Sequence, residues 1–120
     1  MLIIKPDPNN STNEIKELYA TLDGEFFGYI RFRLRGYIVE ITEMIPLVAD
    51  PFTEGVDESM YPYLDTFIRA LGSWALNHSC YYVECQNPVL YPTLKEFRFS
   101  LKDGIMQSDL SRILKTCGGH

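Results

Sequence analysis

The sequence predicts one mixed α/β (α+β) domain, residues 1–120, built on a mostly antiparallel sheet. Three observations carry this. Strand-like runs flank Asp23-Gly24, Arg35-Gly36 and Asp103-Gly104, dipeptides suited to hairpin turns. Met60 to Asn77 keeps one apolar face at helical spacing and lies between two strand-like runs. The chain has 120 residues, 46 % of them hydrophobic and 22 % charged, enough to bury a core without disulfides or a metal.

The elements follow in order. Leu2 to Ile4 reads as a short strand, and the turn-rich stretch Pro6 to Asn13 as a loop. Glu14 to Leu22 leads into the Asp23-Gly24 hairpin. A turn at Arg35-Gly36 sets Leu34 opposite Tyr37, Phe32 opposite Val39 and Ile30 opposite Ile41, an apolar face. The other face then pairs Arg33 with Ile38, Arg31 with Glu40, Tyr29 with Thr42 and Phe27 with Met44. Strand character runs to about Leu47, and Pro46 marks an edge, a bulge or an end. Ala49 to Glu58 reads as a loop.

The helix from Met60 to Asn77 buries Leu64, Phe67, Ile68, Leu71, Trp74 and Ala75, with Ser59 as its expected N-cap and Pro62 in its first turn. Tyr81 to Cys85 is a short strand broken by Asn87-Pro88. A second helix follows from Val89 to Phe97, then a hairpin at Lys102-Asp103-Gly104. Residues 105–114 fit either a strand or a helix, with Ser108 as a candidate cap. The step from Tyr37 to Cys85 reads as a parallel strand–helix–strand crossover.

Charge narrows the function classes. Eleven basic and sixteen acidic residues give a net charge of −5, which disfavours a nucleic-acid partner unless a basic patch is present. Arg31, Arg33 and Arg35 are the only candidate, and they read as the wet face of a strand. Cys80, Cys85 and Cys117 have no metal-ligand spacing with His78 or His120, so no metal is expected. Three consecutive apolar residues after Met1 are too few for a leader or a membrane span, and a cytoplasmic location is expected.

This order of elements resembles the GNAT superfamily of acyl-CoA-dependent N-acetyltransferases. The carriers are "LDGEFFGYIRF", "YIVEITEMIPL", the following helix and "YYVECQNPVLYPTLKEFRF", in which Asn87 and Phe99 match the ends of the family's last helix. The resemblance implies a central splayed parallel strand pair flanked by helices, with the first two family helices missing or reduced. It implies an acetyl-CoA or other acyl-CoA cofactor, whose pantetheine arm enters the splay. Met44, Ile45 and Leu47 on the fourth strand, Ser59 at the next helix and Asn87 are the implied cofactor-binding residues. Glu43 is the implied general base and Tyr91 the implied acid.

The chain departs from the family pattern where the diphosphate would be held. Val56 stands at the Gln/Arg position, and Ser59 and Tyr61 at the two glycine positions. Asp57 and Glu58 lie between them and would repel a diphosphate. Leu94 occupies the tyrosine position, one helical turn from Tyr91, and Arg98 the glycine position of the closing Gly-Phe pair. Pro46 cannot donate a strand amide.

Each candidate also has a plain structural reading. Glu40 and Glu43 can be solvated or ion-paired carboxylates, His78 a helix-end cation, Cys85 a packed thiol, and Tyr61, Tyr63, Tyr81, Tyr82 and Tyr91 core or interface groups. Two functional readings follow from the resemblance. One is an atypical GNAT-fold protein with weak or absent acetyl transfer that binds a ligand or a protein partner. The other is a working acyl-CoA N-acyltransferase with a non-standard diphosphate loop, acting on a small-molecule amine. A homodimer joined through an exposed edge strand is a third.

Overall fold

The computed structural model describes residues 1–6, 15–47 and 58–114. Seven strands form one sheet: β1 (Leu2–Pro6), β2 (Lys16–Leu22), β3 (Glu25–Arg35), β4 (Ile38–Ile45), β5 (Tyr82–Cys85), β6 (Ser100–Lys102) and β7 (Ile105–Asp109), in the order β1-β2-β3-β4-β5-β7-β6. Every neighbouring pair is antiparallel except β4 and β5, which run parallel. Helix α1 (Tyr61–Asn77) joins those two strands. Helix α2 (Tyr91–Lys95) follows β5, and α3 (Leu110–Ile113) follows β7. The mixed, mostly antiparallel sheet with a central parallel pair is the architecture that the resemblance implies.

The turn dipeptides act through backbone conformation. Asp23-Gly24 and Asp103-Gly104 all have positive φ, between 53° and 86°, as two-residue hairpin turns of type I′ require. In the β3–β4 hairpin the turn is Gly36-Tyr37, one residue later than expected. Arg35 pairs with Ile38, Arg33 with Glu40 and Phe32 with Ile41. Gly36, at φ 61°, takes the first central position, where a side chain on Arg35 would be strained. The correction moves each partner by two residues, so the faces keep their character.

The helices pack on one face of the sheet. The Phe67 ring of α1 lies 6.4 Å from Phe27, and Trp74 lies 4.8 Å from Phe32. Between them, Leu64, Ile68 and Leu71 are buried with Ile30, Ile41 and Val83 of the strands. Gly72 lets α3 close on α1, since a Cβ there would meet Ile113 at 2.9 Å. The segment after α2 is tied to α1 by Tyr61 on Phe97, and by Arg98 on Asp65 at 2.7 Å. Arg98 stands where the family pattern has glycine, and its φ is 76°. Arg98 takes this left-handed conformation without being glycine, and the ion pair helps offset its cost.

Several boundaries differ from expectation. α1 is preceded by a 3-10 turn at Glu58–Met60, and its N-cap position is held by Met60, not by the expected Ser59. The segment expected to be helical from Val89 to Phe97 is a 3-10 turn, Pro88–Leu90, followed by the short α2. Residues 105–114 are a strand and then a short helix, capped by Asp109 rather than Ser108. The stretches expected to be loops at Pro6 to Asn13 and Ala49 to Glu58 fall largely outside the described residues. No described helix is long and apolar enough to cross a membrane.

Asp109 accepts from the Arg112 amide at 3.0 Å and from the Ser111 hydroxyl at 2.5 Å. The Ser111 bond first, and the Arg112 amide next, hold its carboxyl below the usual aspartate range. A lowered folded value makes the cap's contribution full above the unfolded aspartate range and lost as pH falls through the folded value. Asp109→Ala is expected to lower stability by about 1 kcal/mol at neutral pH. The gap from the parent should shrink in urea titrations as pH falls through that window.

Candidate ligand site in the β4–β5 splay

The parallel pairing of β4 with β5 stops at Ile41 and Cys85. Asn87-Pro88 ends β5, while β4 runs on to Ile45, so the two strands part. At the same point β4 carries a bulge. Arg31 of β3 pairs with Glu43 and Phe32 pairs with Ile41, which leaves Thr42 without a partner in the ladder. The Thr42 hydroxyl donates to the Arg31 carbonyl at 3.2 Å. Its carbonyl accepts from the Asn87 side-chain amide at 3.1 Å. The same Asn87 side chain accepts from the Val89 amide at 3.3 Å. One asparagine therefore ties the bulge to the start of the chain after β5, satisfying groups that a regular ladder would have paired.

The bulge decides which residues face which way. In a regular strand Glu43 would share a face with Val39 and Ile41, as the sequence suggests. The extra residue reverses this: Met44 is buried opposite Ile30, and Glu43 joins Arg31 on the other face. The expected Tyr29–Thr42 and Phe27–Met44 pairs are likewise replaced, Tyr29 lying opposite Ile45. A second irregularity, in β3 between Gly28 and Phe26, turns the Phe27 ring onto Tyr63 and Phe67.

A cavity of about 200 Å³ opens at the splay, lined by Tyr29, Glu43, Met44, Ile45, Leu47, Asn87, Val89 and Leu90. Five of the residues implied by resemblance are thus gathered: Glu43, Met44, Ile45, Leu47 and Asn87. Two are not. Ser59 sits exposed in the 3-10 turn before α1. Tyr91 donates its hydroxyl to the Gly104 carbonyl at 2.9 Å and lines a different cavity, with Phe99, Leu101 and Met106. Val56 and Asp57 lie outside the described residues.

Glu43 is half exposed, and its Oε2 accepts from both Tyr29 and Arg31 at 3.1 Å. Burial first, then the bond to Glu43, raises the Tyr29 phenol above its usual value, so it stays a donor at neutral pH. The Arg31 guanidinium also lies 4.4 Å from the Tyr29 ring centre. Tyr29 is the residue that sequence reasoning missed. Its signal was an aromatic group on an otherwise charged strand face.

The rest of that face is an ion ladder. Arg31 bonds Glu17 at 2.7 Å, Arg33 bonds Glu40 at 2.7 Å, and Arg35 bonds Glu84 at 2.6 Å. Arg31 therefore pairs with Glu17 and Glu43, not with the expected Glu40. Glu17 and Glu40 are buried beneath the guanidinium side chains, and no described helix covers this face. The arginine stripe is the polar face of the sheet. Cys85 is buried and its thiol is pushed up to about 11 by that burial, the packed reading rather than a nucleophile. His78 stacks on Trp74 at 3.7 Å, with Nδ1 2.7 Å from the Trp74 carbonyl at the end of α1.

Comparison with known proteins places the fold. No protein-family profile and no curated protein matches the sequence. Solved structures do match. The crystal structure of Tetrahymena GCN5 superposes with a TM-score of 0.60 at 11 % identity, covering 82 % of this chain and 70 % of that one. PaiA N-acetyltransferase from Thermoplasma acidophilum, in complex with coenzyme A, gives 0.57 at 15 %, covering 80 % and 61 %. AAC(6')-Ib, in complex with paromomycin and acetyl-CoA, gives 0.58 at 12 %, covering 90 % and 72 %. The chain has the GNAT acetyltransferase fold, and it spans 61 % of the PaiA chain.

Three substitutions probe the site. A Cβ on Gly28 would collide with the Ile45 carbonyl and come within 2.7 Å of Pro46 Cδ. Gly28→Ala is therefore expected to cost roughly 1–3 kcal/mol and to shift the amide resonances of Met44 and Ile45. Glu40→Ala, which removes a buried acid from Arg33 and Arg35, is expected to cost about 2 kcal/mol. Glu43→Ala, at an exposed pair, should cost under about 1 kcal/mol. Urea denaturation that ranks Glu43→Ala as the more damaging would contradict the ladder described here.

Proposed function

We propose that this chain is an atypical GNAT-fold protein with weak or absent acetyl transfer, acting as a ligand- or partner-binding module. The observation that supports this is the separation of the two expected proton-transfer groups. Glu43 lines the splay, while the Tyr91 hydroxyl is held by the Gly104 carbonyl in another cavity. Acid–base catalysis needs both groups within hydrogen-bond reach of one reacting centre.

The splay suits part of an acyl-CoA. Met44, Ile45 and Leu47 offer an apolar wall for the pantetheine arm, and Asn87 offers a polar group at its base. The diphosphate is poorly served. Among the described residues no Lys or Arg lines the cavity, and Asp57 and Glu58 precede α1 in the sequence, where a helix N-terminus would otherwise favour an anion. When bound, the cofactor supplies an activated thioester. Two buried, unpaired thiols, Cys80 and Cys85, agree with a reducing, cytoplasmic setting.

A second reading is favoured by the splay between β4 and β5, and by the coenzyme A and acetyl-CoA named with PaiA and AAC(6')-Ib. It is a working acyl-CoA N-acyltransferase in which Glu43 and Tyr91 act on a small-molecule amine and Ser59 contributes to a non-standard diphosphate loop. A calorimetric titration with acetyl-CoA and with CoA, paired with a thiol-release assay over a panel of amines, separates the two. The first reading expects thiol release at or close to the uncatalysed rate, unchanged in Glu43→Gln and Tyr91→Phe. Micromolar binding, about −8 kcal/mol, with turnover that falls in both variants would establish the second.

A further inference from the structure

The sheet ends at β6, and no described strand pairs with its outer edge. All three β6 residues are exposed, with Leu101 at 59 %. An open strand edge offers a row of unpaired amides and carbonyls. The two sides of this edge differ in chemistry.

On the helix side, Leu101 pairs with Met106. The two line a groove of about 600 Å³ with Tyr91, Pro92 and Phe99, and Lys95 at its rim. The Tyr91–Gly104 hydrogen bond fixes one wall of it. On the opposite side, Lys102 and Arg112 lie in a shallow polar depression with Ser100, Gln107 and Asp109. Arg112 Nη1 donates to the Ser100 hydroxyl at 3.3 Å. The one acid there, Asp109, is already engaged as the cap of α3. No acid lines the groove, and no ion pair to Lys95, Lys102 or Arg112 is present among the described residues.

The geometry points to β6 as a docking edge for an extended segment of a partner protein in which apolar and acidic residues alternate. Backbone pairing to Ser100–Lys102 adds a strand to the sheet. Alternate side chains then fall on opposite faces. The apolar set enters the groove over Leu101 and Met106, and the acidic set meets Lys102 and Arg112. This assignment rests on the binding-module reading above and gives it a partner class. A second copy of the chain is a weaker occupant. Two three-residue edges pairing alone bury far less than the roughly 1,200 Å² that a stable interface needs, and β6 carries no acid to answer the partner copy's cations.

The test uses the full chain and two synthetic peptides, one alternating valine with glutamate and one alternating valine with lysine. The glutamate peptide is expected to shift the amide resonances of Ser100–Lys102 and to bind about tenfold tighter than the lysine peptide. The double variant Lys102→Glu/Arg112→Glu, altered only at exposed positions, should reverse that preference. Leu101→Glu should weaken both peptides. The proposal is overturned if neither peptide perturbs β6 up to millimolar concentration, or if charge reversal leaves the preference unchanged. It is also overturned if sedimentation shows a dimer that Leu101→Glu dissolves. Thiol release measured on the same preparation reports separately on the binding-module reading.

Discussion

The asparagine that spans the parting strands holds the centre of this structure. A parallel pair that ends abruptly leaves strand carbonyls and amides without partners. Here the Asn87 side chain takes up the Thr42 carbonyl and returns to the Val89 amide. With that link in place, β4 can carry an extra residue, β5 can stop after four, and the opening between them has a defined floor. Without it the bulge would have an unmet carbonyl at the point where the two strands separate, a cost on the order of 1–3 kcal/mol.

The bulge also sorts side chains between the two faces. Met44 goes to the core with Ile30, and Glu43 to Tyr29 and Arg31. The helix face is then closed by α1, α2 and α3 through aromatic and aliphatic packing. The opposite face is closed by long side chains lying over one another. Arginine suits that second task because its stem covers apolar surface while its planar head bonds more than one carboxylate. Glu17 and Glu40 are consequently buried yet satisfied.

The fold and its chemistry separate at this point. The chain has the GNAT fold, and Arg98 takes a left-handed backbone at the position where the resemblance implies glycine. Glu43 is tied to two donors, and the Tyr91 hydroxyl is tied to the Gly104 carbonyl of the β6–β7 hairpin. A frame of this kind can host unrelated tasks, and the proposed binding roles draw on the frame's openings, the splay and the free edge of β6.

Sequence alone was enough for the mixed α/β class, the hairpins at Asp23-Gly24 and Asp103-Gly104, and the crossover from β4 through α1 to β5. These are local or periodic features, written in turn chemistry and apolar spacing. Tertiary structure alone decided the rest. Alternation cannot reveal an unpaired residue at Thr42: it puts Glu43 on the face of Val39 and Ile41, whereas the bulge sets it opposite Arg31. A one-residue choice of turn at Gly36 depends on which residue must take positive φ, and it set Glu40 against Arg33 rather than Arg31. The direction of the Tyr91 hydroxyl depends on Gly104, in a hairpin thirteen residues away, a contact that no spacing along the chain encodes.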